Sequence, residues 1–313
     1  MTSSHWFKLV LCSALLAGQA AACAASASAT VRDDPVVDAR WLAAHVDDPH
    51  LVLLHVGDRD EYAAGHIRGA RLVSLDDVSV SEHTRDGLML EMPDAQALRE
   101  RLEKLGISDD SHIVVYYGND WVSPSTRVVF TLQYAGLGQH TALLDGGMPS
   151  WVRQGGALSE DVPPTRKGKL SELNLQPLVV NADYVRAHRN APGLAIVDAR
   201  ATVFYDGIEV GGAHGQTDRT GHIAGAHSVP FTGLTDEQLR LRPLAELKAQ
   251  FDAAGIAPGD TIVGYCHIGQ QATAMLFAAR LLGHPVLLYD GSFQDWSRGA
   301  NNPVETTAAR GKP

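Results

Sequence analysis

Cysteine is scarce in this chain, with Cys12, Cys23 and Cys266 the whole supply in 313 residues. Clustered basic residues are missing too: 26 Lys and Arg stand against 36 Asp and Glu, and no basic run offsets the net charge of -10. A surface of that sign repels polyanions, so nucleic acid is excluded as an expected partner. No apolar run reaches the ~20 residues that span a bilayer. No grouping of His, Cys and carboxylates has metal-ligand spacing, so no metal or other cofactor is expected. What remains is ordinary globular material, 45% apolar and 20% charged, which argues against disorder. At this length the chain has room for two domains, each with its own core.

The first 29 residues differ from the rest. Lys8 precedes an apolar stretch from Leu9 to Ala17, and the small-residue run Ala20 to Ala29 follows. That order is the layout of a secretory signal peptide, with small-x-small cleavage sites at Ala27-Ser28-Ala29, Ala25-Ser26-Ala27 and Ala20-Ala21-Ala22. An uncleaved anchor and a lipid-modified Cys23 are the alternatives. The expected product is an exported, periplasmic protein with no stable membrane association after cleavage. Cleavage at either later site removes Cys12 and Cys23 and leaves Cys266 alone. A solitary thiol cannot form an internal disulfide and is open to oxidation in such a compartment. It is either a small buried hydrophobe or a functional group.

The sequence repeats. Gly65-His66-Ile67-Arg68-Gly69-Ala70 returns as Gly221-His222-Ile223-Ala224-Gly225-Ala226. Ahead of each stands an apolar run ending in arginine, Val56-Gly57-Asp58-Arg59 and Val197-Asp198-Ala199-Arg200. Downstream lie Leu144-Asp145-Gly146-Gly147 with Trp151, and Tyr289-Asp290-Gly291-Ser292 with Trp296. Landmarks shared in one order indicate a duplicated domain. Apolar runs such as Ile113 to Tyr117, Leu194 to Val197, Thr261 to Tyr265 and Val286 to Tyr289 read as strands buried on both faces. They alternate with helical stretches at Ala95 to Leu105, Leu244 to Ala254 and Thr273 to Leu282. The alternation predicts an α/β fold of two domains, each a parallel sheet flanked by helices. The expected division is 1–29 leader, 30–160 first domain, 161–178 linker and 179–313 second domain.

The strand Thr261 to Tyr265 runs into Cys266-His267-Ile268-Gly269-Gln270-Gln271-Ala272, where a helix begins. Cys266 therefore sits at a strand's carboxyl end and faces a helix amino terminus. Unpaired amides and the helix dipole there favour the ionised, nucleophilic thiolate. Gly269 lets the backbone curl so that its N–H groups turn inward, and Ala272 leaves the cradle uncrowded.

A loop of the form C-x-x-G-x-x-A after an apolar strand, together with D-x-R, G-H-I-x-G-A and D-G-[GS]-x-x-x-W, resembles the tandem rhodaneses. The likeness runs from about Val36 to Thr306. It implies a rhodanese-type sulfurtransferase of the thiosulfate and 3-mercaptopyruvate family. In that family the cysteine of the second domain takes a sulfane sulfur as a persulfide and passes it on. The resemblance makes Cys266 the catalytic residue, with His267, Ile268, Gly269, Gln270, Gln271, Ala272 and Arg200 around the substrate. It implies a small sulfur donor, a thiol or cyanide-like acceptor, and room for a partner protein as acceptor. The first domain's stretch from Tyr117 to Thr126 holds no thiol and is expected to serve packing and the cleft.

The sequence also departs from the family. His267 and Ile268 replace the basic or small residues that usually follow the cysteine, so the donor stays open. A second arginine, four residues after that of D-x-R, is replaced by Phe204, and Arg219 is the candidate substitute. Arg200 has two readings, a pocket residue or a brace held by Asp198. His66 and His222, in matching positions, are expected to be structural hydrogen-bonders, and Trp151 and Trp296 packing residues. His267 either adds positive charge beside the sulfur or is simply exposed. Two rivals carry other functions: a phosphatase, which needs an arginine where Ala272 stands, and a sulfur carrier without turnover.

Overall fold

The computed structural model describes residue 1 and residues 34–119, 121–164, 166–211 and 219–307. The leader-like segment, with Cys12 and Cys23, lies outside the described residues except for Met1. Among the described residues no helix is long and apolar enough to cross a membrane.

The first half contains β1 (Val36–Val37), α1 (Ala39–His45), β2 (Leu51–Val56), α2 (Arg59–Ala64), β3 (His66–Ile67), β4 (Arg71–Val73), α3 (Ala95–Lys104), β5 (His112–Tyr117), α4 (Val122–Tyr134), β6 (Thr141–Leu144), α5 (Gly147–Arg153) and β7 (Leu158–Ser159). The second repeats the plan with β8 (Val179–Val180), α6 (Ala182–His188), β9 (Leu194–Asp198), α7 (Thr202–Tyr205), β10 (His222–Ile223), β11 (His227–Ser228), α8 (Leu244–Ala253), β12 (Thr261–Tyr265), α9 (Gln271–Leu281), β13 (Val286–Tyr289), α10 (Ser292–Arg298) and β14 (Val304–Glu305). Each half folds into a parallel sheet, ordered β1-β6-β5-β2-β4 in the first and β8-β13-β12-β9-β11 in the second. The expected α/β architecture of two parallel sheets wrapped by helices is the one observed.

Residues buried on both faces explain why the strands read as continuous apolar runs. Ile113 to Tyr117 and Ile262 to Tyr265 are buried without a break. Each sheet ends its central strand at a loop and a helix, and those two helices, α4 and α9, pack on each other. One apolar cluster joins Val115 and Val129 to Met275 and Leu288 across the two halves. The ends of the unit are pinned identically. His66 stacks on Tyr62 with its Nδ1 on the Tyr62 carbonyl (2.8 Å), and His222 stacks on Tyr205 with its Nδ1 on the Tyr205 carbonyl (2.7 Å). Trp151 Nε1 donates to the Ala157 carbonyl and Trp296 Nε1 to the Pro303 carbonyl, each at 3.0 Å. The histidines and tryptophans therefore hold the fold, as their occurrence in both halves implied.

These pairs correct one detail of the repeat. The Tyr116 hydroxyl accepts from the Ile67 amide as the Tyr265 hydroxyl does from Ile223, and Tyr62 and Tyr205 donate to the Ala70 and Ala226 carbonyls. With these fixed, Tyr117 matches Cys266, His55 matches Asp198, and Gly57 matches Arg200. The sequence pairing of Arg59 with Arg200 slips by two residues. Arg59 is exposed on α2, because two short apolar runs offer no internal mark of register and only strand pairing fixes it.

Candidate active site

Cys266 follows β12 at the carboxyl edge of the second sheet, where open parallel sheets bind ligands. Its amide donates to Ser292 Oγ (3.3 Å), and its carbonyl accepts from the Phe293 amide (3.0 Å). The residue has no exposed surface. Gly269 adopts φ +84°, a left-handed conformation that favours glycine, and turns the chain into α9. From His267 through Ala272 no backbone N–H donates a hydrogen bond among the described residues. That run of open donors stands at the start of an eleven-residue helix, a setting that favours an anion. Gln271 adds a buried Oε1 without a partner among the described residues.

Arg200 lies beneath this loop, 2% exposed. Its Nε donates to both Asp198 oxygens (3.0 and 3.1 Å), and its Nη2 to Asp198 Oδ2 (2.6 Å) and the Gly221 carbonyl (2.7 Å). The guanidinium carbon stands 4.1 Å from the Phe293 ring centroid. Burial disfavours the cation, but Asp198 outweighs burial and holds the guanidinium above its ordinary value. Such an arrangement braces the cysteine strand. Tyr265, wholly buried, has its hydroxyl pushed up by burial first and by Asp198 second.

His267 is neither a cation nor simply exposed. Burial, then the Arg200 charge, lowers it to about 4, so it is neutral at pH 7. Its ring meets Phe204 edge-on at 4.7 Å, and Gly211 packs so close that a side chain there would strike Nδ1. Phe204 therefore sits over the loop, in the place of the usual second arginine. Arg219 does not replace that group: its Nη1 donates to the Gly299 (3.0 Å) and Asn302 (2.8 Å) carbonyls.

The first half carries the corresponding loop without a thiol. Tyr117 stands where Cys266 does, and Gly147, matching Ser292, leaves space for the ring. Glu61, matching Phe204, turns onto the loop and accepts from the Asn119 amide (2.7 Å) and Nδ2 (2.5 Å). A protein carboxylate thus satisfies a donor that in the second half stays open. Helix α4 also supplies side chains to the cysteine loop: Ser123 Oγ accepts from Gln270 Nε2 (3.1 Å), and Thr126 bonds Thr273 (3.0 Å). Arg127 reaches the Gly269 carbonyl (3.2 Å) and was not singled out by its sequence setting.

A model of the rhodanese-like domain matches residues 38–154 and again 181–299. The chain belongs to the rhodanese family. The chain is 32% identical over 283 residues to the 3-mercaptopyruvate sulfurtransferase of Escherichia coli, a match covering 86% of this chain and 97% of that one. It is 30% identical over 274 residues to the thiosulfate sulfurtransferase of Azotobacter vinelandii, covering 86% and 96%. The anaerobic ergothioneine biosynthesis enzyme of Chlorobium limicola, solved with trimethyl histidine, has a TM-score of 0.77 at 23% identity, covering 87% of this chain and 70% of that one. That last likeness is one of fold. Within the rhodanese frame, the loop Cys266–Ala272 of the second domain bears the cysteine, and the corresponding loop of the first bears Tyr117.

Proposed function

We propose that this rhodanese is a sulfurtransferase that moves a sulfane sulfur from a thiosulfate- or 3-mercaptopyruvate-class donor to a thiophilic acceptor through a Cys266 persulfide. The observation that carries the reading is the run of open amides from His267 to Ala272 around the lone described thiol. In the first step the Cys266 thiolate attacks the donor's outer sulfur. The new Sγ–S bond forms as the donor's bond to that sulfur breaks, and the departing group, sulfite or the enolate of pyruvate, keeps the electron pair. In the second step a thiolate or cyanide takes the outer sulfur, and the thiolate returns. Loop amides stabilise the negative persulfide, a contribution of about 3 kcal/mol per well-aimed donor in comparable oxyanion sites. Arg200 supports this loop from below, and among the described residues Phe204 and neutral His267 cover one side of it without a cation.

Phe204 in the place of an arginine and the burial of Cys266 favour a second reading, a carrier that delivers sulfur to a partner protein with little turnover on small anions. Cyanide-dependent thiocyanate formation, run with thiosulfate and with mercaptopyruvate, separates the two. The enzyme reading expects turnover with at least one donor, abolished in Cys266→Ser. Stoichiometric loading without turnover indicates the carrier, and turnover that survives in Cys266→Ser overturns both. The signal-like first 29 residues support a periplasmic location for this activity.

A further inference from the structure

Arg127 is a buried charge outside the chemistry described above. It projects from α4 of the first domain with no exposed surface. Its Nη1 donates to the Gly269 carbonyl (3.2 Å) and to Asp290 Oδ1 (2.9 Å), and its Nη2 donates to the Leu90 carbonyl. Leu90 holds that carbonyl in place from a left-handed conformation, φ +59°. Burying a guanidinium costs several kcal/mol unless it is fully partnered, so such a group needs a reason.

Joining the domains is not reason enough. One matched pair of crossing contacts needs no arginine: the Met92 amide donates to Asp290 Oδ2 (2.6 Å), and the Leu241 amide donates to the matching Asp145 Oδ1 (2.8 Å). Thr126 faces Thr273 across the same pseudo-dyad, so the counterpart of Arg127 is Ala274, a small buried residue. At this position the symmetry breaks toward the half that owns the cysteine. There the guanidinium grips a carbonyl of the sulfur loop. A side chain at Gly269 would come within 3.0 Å of Arg127 Nη1 and of the Asp290 carbonyl, so the loop is pressed against this clamp.

We infer that Arg127 is a positioning residue for sulfur transfer, supplied by the first domain and acting through the Gly269 carbonyl. The peptide group is planar, so holding the Gly269 C=O toward the domain boundary turns the Gln270 N–H the opposite way, back into the loop. Asp290 aims the guanidinium, and Leu90 fixes its far end. The inference rests on the persulfide reading of Cys266 and explains what the inert domain contributes to the active one.

Single-turnover loading of Cys266, followed by quenching and intact mass, tests it in the full-length protein. Arg127→Lys keeps the charge, but an ammonium cannot span Gly269, Asp290 and Leu90 as the planar fork does. The expected result is full loading at a rate lower by about tenfold or more, with the half-saturating donor concentration unchanged. A merely structural role would lower the loaded fraction and leave the rate of the loadable molecules alone. Asp290→Asn keeps the shape but loosens the aim, and about a threefold slower rate is expected; it decides the matter where Arg127→Lys does not fold. Loading at the wild-type rate in the folded variants, or a loss confined to amplitude, overturns the role of Arg127. Failure of the wild type to load removes the persulfide reading and this inference with it.

Discussion

Replacing Arg200 by methionine separates a brace from a donor-gripping residue. The side chain is 2% exposed, its partner Asp198 is fully buried, and Nε and Nη2 are committed to Asp198 and the Gly221 carbonyl. Methionine fills much of the volume but strands the Asp198 carboxylate without its counter-ion. Removing one partner of a buried pair costs about 3–5 kcal/mol. In a domain of this size each kcal/mol moves the thermal midpoint by about 2–4 °C, so a fall on the order of 10 °C is expected. The assay is thermal unfolding by circular dichroism beside steady-state kinetics on whichever donor turns over. At temperatures where the variant is folded, the half-saturating donor concentration should stay within about twofold of wild type. A midpoint within about 2 °C of wild type, together with a tenfold rise in that concentration, would refute the brace and make Arg200 a donor ligand.

Three further outcomes follow from the same structure. Phe204→Arg restores a cation over the loop and should lower the half-saturating thiosulfate concentration by about tenfold, or ~1.4 kcal/mol; steady-state kinetics measure it. Glu91 is raised to about 7, first by burial and then by Asp290 and Asp295. Because the folded value exceeds the unfolded one, its favourable contribution is present below about 4.5 and lost as pH rises through about 7. Glu91→Gln should therefore stabilise the protein at pH 8, by about 1 kcal/mol after discounting for partial exposure, and leave it unchanged at pH 4. Denaturant titrations at both values check this. His267, lowered to about 4, should keep the carbon-proton shifts of a neutral imidazole in NMR spectra from pH 5.5 to 8.

Much of this molecule was legible in its amino-acid order because the decisive signals are local. Apolar runs such as Thr261 to Tyr265 and the repeated Gly-His-Ile motif announce buried strands and a duplicated unit. The loop after β12 declares itself through Cys266 and Gly269, since a left-handed turn between strand and helix demands glycine there. The remainder depends on contacts between distant residues. Arg127 sits inside an otherwise uncharged helix and acquires meaning only when α4 meets the loop 142 positions away. The depressed basicity of His267 comes from Phe204, Gly211 and Arg200, none of which its neighbours in sequence reveal. The match of Glu61 with Phe204 was hidden because Tyr62 lies 4 residues before His66 while Tyr205 lies 17 before His222. A difference in spacing of that kind defeats alignment by eye until the stacked rings fix it.

Whether Cys266 carries sulfur is measured by intact mass spectrometry after incubation with thiosulfate or mercaptopyruvate. A persulfide at Cys266 gives a gain of one sulfur, about 32 mass units, removed by cyanide and absent in Cys266→Ser. An unchanged mass with both donors, or a gain that persists in Cys266→Ser, would contradict it.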